Sequence, residues 1–143
     1  MVEQCSATGT GTGSLAPEIE VTGFNLNIPD GDTTPATSDG TDFGTVPVNA
    51  EVVRTFTVKN TGTATLTLGS PTLPAGFTLG TDTLLPNISA GGFDTFDVKF
   101  SSATPGTFTG ELSFTNNDSD ENPYNFTVIA NVSVSGTPEI DVL

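Results

Sequence analysis

The sequence predicts an all-β fold, an antiparallel β-sandwich of seven to nine strands, on three observations. Apolar residues recur at every second position along most of the chain, the pattern of half-buried strands, and a 3.6-residue period appears nowhere over a useful length. Gly, Pro, Asn and Asp punctuate the apolar runs at short intervals, as tight turns require. Ten Phe residues, most of them in the inward phase, supply most of the core volume, while Thr fills the outward positions.

The elements follow in order. Ile19 and Val21 set one phase of a first strand, whereas Phe24, Leu26 and Ile28 set the opposite one, so the chain is expected to kink or bulge at Gly23. A strand runs through Phe43–Val48, and Val52, Phe56 and Val58 supply the next. Short strands are expected at Thr65–Leu68 and Phe77–Leu79, between turns at Asn60-Thr61-Gly62, Pro71, Pro74-Ala75-Gly76 and Gly91-Gly92. Phe96, Val98 and Phe100 alternate with Asp97 and Lys99; beyond Pro105-Gly106, Phe108, Leu112 and Phe114 alternate with Thr109, Glu111 and Ser113. The strongest pattern is Tyr124–Val134, where each even position can face a core and only Ile129 interrupts the polar odd ones.

At 143 residues the chain suits one domain. Three basic residues, Arg54, Lys59 and Lys99, stand against 17 carboxylates, and a net charge of −14 repels phosphate backbones and anionic lipid. Nucleic acid and membrane are therefore excluded as partners, and no apolar run is long enough to span a bilayer. The charge suits a secreted or cell-surface setting rich in divalent cations. The opening residues lack the apolar stretch of a signal peptide, so Met1 is read as the start of an excised fragment. Cys5 has no internal partner; it is an incidental linker residue or the source of an intermolecular bridge.

Pro17-Glu18-Ile19-Glu20-Val21 recurs 121 residues later as Pro138-Glu139-Ile140-Asp141-Val142. The lead Ala7–Gly13 likewise matches a worn copy of Val132–Thr137. Residues 1–16 are accordingly expected to be the tail of a preceding repeat, 17–137 one complete module, and 138–143 the start of the next, with neighbouring repeats as partners and the fragment itself a monomer.

Taken together, Pro17–Val21, Pro29-Asp30-Gly31-Asp32-Thr33-Thr34-Pro35, Asp42–Val46, Arg54–Gly62 and Asn116–Tyr124 resemble the choice-of-anchor D repeat, a bacterial relative of the immunoglobulin-like domains of ASPM, SPD-2 and hydin proteins. The resemblance spans most of the period. It implies an immunoglobulin-like sandwich belonging to large secreted or surface-attached proteins that differ in how they are anchored.

Two acidic loops carry the candidate site chemistry. Pro29–Asp42 holds Asp30, Asp32, Asp39 and Asp42; Asn116–Asn122 holds Asp118 and Asp120. Calcium takes about six to eight oxygens, and D-x-D spacing in a turn lets alternate side chains converge with backbone carbonyls. If the Phe43–Val48 strand runs antiparallel to Phe24–Ile28, Asp30, Asp32, Asp118 and Asp120 meet at one end and share an ion that stiffens the 14-residue first loop. The alternative is that these residues make ordinary solvated Asx turns.

Catalysis finds no support. His is absent, so imidazole bases, triads and His-containing zinc sites are excluded, and Asp118 and Asp120 lie in a polar turn that does not raise a carboxyl pKa for glycoside cleavage. A protein or glycan ligand remains the rival to a spacer role, although with no Trp and one Tyr a sugar-stacking platform would have to use Phe. Exposed edge strands pairing into fibres are a third reading. Lys59 and Lys99 fall on the outward phase, against a buried isopeptide cross-link. The N-x-[ST] sequons at Asn87, Asn117, Asn125 and Asn131 are chance occurrences in a Thr/Ser-rich chain.

Overall fold

The computed structural model describes residues 15–134, so the expectations for the lead and for the recurring pentapeptide at 138–142 lie outside the described residues. Ten strands and one 3-10 turn make up the described fold: β1 (Ile19–Gly23), β2 (Leu26–Asn27), β3 (Asp42–Pro47), β4 (Val52–Asn60), β5 (Leu66–Thr67), β6 (Phe77–Leu79), β7 (Asn87–Ile88), β8 (Phe93–Phe100), β9 (Gly106–Phe114), the 3-10 turn at Ser119–Glu121, and β10 (Tyr124–Ser133). A five-stranded sheet ordered β2-β1-β4-β8-β6 faces a three-stranded sheet ordered β3-β10-β9, and β5 and β7 form a small separate ladder. The fold is an all-β, immunoglobulin-like sandwich. Among the named strands every pairing is antiparallel but one: β3 lies parallel to β10 with Val46 opposite Val132.

Period-2 alternation decides which residues enter the core. In β10 the even positions from Tyr124 to Val132 are all buried, and in β8 Phe96, Val98 and Phe100 are sealed from solvent. Rings from the two sheets then meet edge to face or tilted: Phe56 on β4 with Phe126 on β10 at 5.6 Å, Phe96 on β8 with Phe114 on β9 at 6.2 Å, and Phe43 on β3 with Phe77 on β6 at 5.1 Å. Seven Phe side chains are buried, and each stabilises the sandwich by about 2 kcal/mol through apolar burial. Phe24 and Phe93 are exposed, Phe93 because it lies on the outward phase of β8.

The first strand departs from expectation. Instead of kinking at Gly23, the chain reverses in a two-residue turn in which Phe24 (φ 49°) and Asn25 (φ 64°) both adopt left-handed conformations, and β2 pairs back on β1 through Gly23 and Leu26. This is the mirror-image turn that suits a twisted hairpin. The glycine is required for another reason: a Cβ at Gly23 would fall 1.9 Å from the Asp39 carbonyl oxygen. The long first loop therefore lies directly against β1, and Ile28, the one residue of the second phase that is fully buried, follows the hairpin.

Strand direction gives the module two distinct ends. Ile19 lies opposite Asn60, Phe93 opposite Lys59, and Phe114 opposite Tyr124, so the chain enters at the end formed by the 60–64, 89–92 and 115–122 turns. It leaves from Ser133 at the other end, where Val48 N–H donates to the Ser133 carbonyl at 3.1 Å and Asn49 N–H to the Ser102 carbonyl at 2.8 Å. These are the leading and trailing ends.

Candidate functional site

The leading end gathers the acidic residues that the topology can bring together. The Asn116–Asn122 turn enters β10, and its first half is fixed by local bonds: Asn116 Oδ1 accepts from Asp118 N at 2.8 Å, and Asn116 Nδ2 donates to the Glu121 carbonyl at 2.8 Å. Asp118 caps the following 3-10 turn through Oδ1, which accepts from Asp120 N at 3.2 Å. Its other oxygen accepts from Ile19 N at 3.1 Å. One buried carboxylate thus joins the first strand of the larger sheet to the segment that precedes the central strand of the smaller one.

That bond draws Glu18 to the same place. Carboxylate oxygens of Glu18, Asp118 and Glu121 lie within 4.8 Å of one another. Glu121 Oε1 is shut off from solvent and has no hydrogen-bond partner. Burial, reinforced by the adjacent Asp118 and then by Glu18 and Asp30, pushes the Glu121 carboxyl up to about 7. Burial followed by the Asp118 charge raises Glu18 as well. Tyr124, whose hydroxyl donates to the Ile28 carbonyl, is raised well above its usual range by burial and then by Glu121 and Asp30. The cluster opens onto a shallow cleft of about 640 Å³ whose lining includes Glu18, Glu20, Asp30, Asp120, Glu121 and Tyr124.

The six residues expected as ligands are therefore divided. Asp118 is in the cluster, and Asp30 and Asp120 line its cleft, with Asp30 Oδ1 accepting from Asn125 N at 3.0 Å. Asp32, Asp39 and Asp42 each hold a residue two positions on. Asp32 Oδ1 accepts from Thr34 N and Oγ1 at 2.9 and 2.8 Å, buried Asp39 Oδ1 from Thr41 N and Oγ1 at 3.0 and 2.6 Å, and Asp42 Oδ1 from Gly44 N at 2.8 Å. These are Asx turns. β3 belongs to the other sheet from β2 yet runs in the opposite direction, being parallel to β10 while β2 is antiparallel to β1. The first loop therefore starts at the leading end and brings Asp30 there, but Asp32 does not line the cleft. Asp32 instead bridges to Phe126 on β10, its carbonyl accepting from Thr127 N at 2.8 Å.

Sequence reasoning did not select Glu18 or Glu121 as site residues. Glu121 stands inside the recognised acidic loop, but Glu18 is about a hundred residues away, and only the β1–β4 register and the Ile19–Asp118 bond place it there. The available signal was its position immediately before the first strand in the recurring pentapeptide. The lysines behave as expected: Lys59 is exposed, and half-exposed Lys99 reaches Glu51 at 3.3 Å.

A family model described as HYDIN/CFA65/VesB-like, Ig-like domain matches residues 36–131. The chain belongs to that family. No curated protein sequence matches it. Solved structures similar to this HYDIN/CFA65/VesB-like domain include a protein of unknown function from Porphyromonas gingivalis W83, with a TM-score of 0.60 and 16% identity over 87% of this chain and 51% of that one. The ASH/PapD-like domain 7 of human CEP192 has a TM-score of 0.57 and 10% identity, covering 86% of this chain and 90% of that one. The secreted serine protease VesC of Vibrio cholerae has a TM-score of 0.52 and 12% identity, covering 64% and 21%. The chain spans about half the length of the Porphyromonas gingivalis protein and about a fifth of VesC. Identities this low speak to the fold alone, which agrees with the Ig-like family. Among the described residues no helix is long and apolar enough to cross a membrane.

Proposed function

We propose that this chain is a non-catalytic structural repeat of the choice-of-anchor D type, a spacer in a secreted or cell-surface bacterial protein. The observation that carries the reading is the recurring Pro-Glu-Ile-acidic-Val motif: its first copy opens β1 at the leading end, while β10 delivers the chain to the trailing end. A module built this way adds length with each copy. A chain without His, several of whose acidic groups hold backbone N–H groups, has little with which to catalyse a reaction. A glycan array and a panel of extracellular-matrix proteins test the spacer role against recognition; saturable binding by this chain to any of them would overturn it.

Calcium is part of the same proposal, at a revised set of residues. Glu18, Asp118 and Glu121 supply converging hard oxygens, one of them without a hydrogen-bond donor, and Asp30 and Asp120 stand at the rim. An ion there would neutralise the charge that opposes closure of the leading end. Calorimetry with calcium and with a chelator checks it: saturation at about 100 times Kd adds about 2.7 kcal/mol to stability, and an unchanged melting temperature rejects it.

A further inference from the structure

The repeat reading leaves open whether consecutive modules swing freely or stand as a rod, and the hydrogen bonds at the leading end bear on this. Hydrogen bonds already hold the chain at Ala16, three residues ahead of Ile19, where β1 starts. Ala16 N–H donates to Thr63 Oγ1 at 3.1 Å, while the Ala16 carbonyl accepts from Thr63 N at 2.8 Å and Ala64 N at 3.2 Å. The Glu18 carbonyl accepts from Thr61 N at 2.8 Å. Buried Asn60 completes the clamp: its Oδ1 accepts from Glu18 N and Gly62 N, and its Nδ2 donates to the Ala64 and Ile88 carbonyls. The approach is so close that a Cβ at Gly62 would fall 2.3 Å from the Ala16 oxygen.

Resting on the repeat reading, we infer that successive modules are held in direct end-to-end contact, the partner of the trailing end being the leading end of a second copy of this module. The recurrence aligns Ser14–Val21 with Ser135–Val142, so Thr137 corresponds to Ala16, the first clamped residue. A following module would hold Thr137–Glu139 against its own 60–64 turn. Since β10 ends at Ser133, only Val134, Ser135 and Gly136 bridge the two bodies. Fully extended, the span from Ser133 to Thr137 is at most about 14 Å, at roughly 3.3–3.6 Å per residue. That is too short to keep two sandwiches apart.

Charge permits the contact. The leading end is acidic, with Glu18, Asp30, Asp118, Asp120 and Glu121, whereas the turns of the trailing end, Pro47–Glu51 and Ser101–Pro105, carry one carboxylate, Glu51, already paired with Lys99. Two highly acidic modules can thus abut without setting like charges face to face. Exposed Leu15 and Val134 sit at the two ends of the described chain, where such a contact would cover them.

The test is a two-module chain in which Thr22–Leu143 is repeated after Val142, carrying Lys59→Cys in both copies and Cys5→Ser, with spin labels on the new thiols. Pulsed electron resonance then reads the distance between modules. A single narrow distance is expected, becoming broad when six Gly/Ser residues are inserted after Ser135. A distribution that is already broad with the natural linker, and that widens only by the roughly 1.7-fold square-root scaling of a flexible chain going from three to nine residues, overturns the inference and leaves the repeat reading intact. A second copy that fails to fold, seen as an unfolding amplitude no larger than that of one module, overturns the repeat period itself and the inference with it.

Discussion

The two acidic loops look alike in sequence and act differently in the fold. In Pro29–Asp42, three of four aspartates cap backbone groups two residues ahead, so each carboxylate is satisfied locally and its effect stays in the loop. In Asn116–Asn122, Asp118 reaches across to Ile19 and draws Glu18 and Glu121 into contact. D-x-D spacing is shared by both loops, and each sends one carboxylate to a distant strand, Asp30 to Asn125 N and Asp118 to Ile19 N; what separates them is that Asp118 is buried with two further carboxylates beside it. Carboxylates with local partners make turns, and a buried carboxylate with a tertiary partner builds a site.

The largest effect is expected from Asp118→Ala, which leaves the Ile19 and Asp120 N–H groups without their acceptor. Urea unfolding should show a loss of about 2–4 kcal/mol, about 1–3 kcal/mol from the buried Ile19 donor left unsatisfied and about 1 kcal/mol from the partly exposed Asp120 donor. Asp118→Asn keeps one acceptor oxygen and removes the charge beside Glu18 and Glu121, so it should lose less; equal losses would show that the charge, not the bond to Ile19, holds the leading end.

A second, intermediate effect is a pH dependence confined to the same cluster. The folded chain holds the Glu121 proton more tightly than the unfolded chain, whose carboxyl titrates near 4.5. Stability from this group is therefore complete below about pH 4.5 and is lost as the pH climbs to about 7. Denaturation midpoints measured across that range should fall for the natural chain and fall less for Glu121→Gln; parallel curves would place the proton elsewhere.

The smallest effect is expected from Asp32→Ala in the first loop, an exposed turn whose lost bonds go to Thr34 alone. The change in unfolding free energy should stay under about 0.5 kcal/mol. A loss approaching that of Asp118→Ala would erase the distinction between the two loops.

The sandwich was legible wherever one face of a strand is buried. β6 matches its expected bounds, and the buried sets of β8 and β10 follow the alternation of their sequences, because solvent on one side and a core on the other impose a period of two. The hairpin at Phe24-Asn25 was misread because a phase change is the same on paper whether a strand bulges or reverses. Only the left-handed backbone of those two residues, neither of them Gly, distinguishes the cases. Asn87–Ile88 was missed, since two residues carry no periodicity. The site was legible only in part. Asp118 belongs to a recognisable turn, but its bond to Ile19 spans 99 residues and depends on strand order, which composition and spacing do not encode.

Opposite placement of the two ends also determines how the module meets tension. Traction on the leading end pulls β1 along the five residues that face β4, and traction on the trailing end pulls β10 along its ladders with β9 and β3. Ladder hydrogen bonds run across the strands, so a force directed along them shears every bond in the row at once instead of peeling them singly. The same topology that sets reach would therefore make the module yield abruptly and late when stretched.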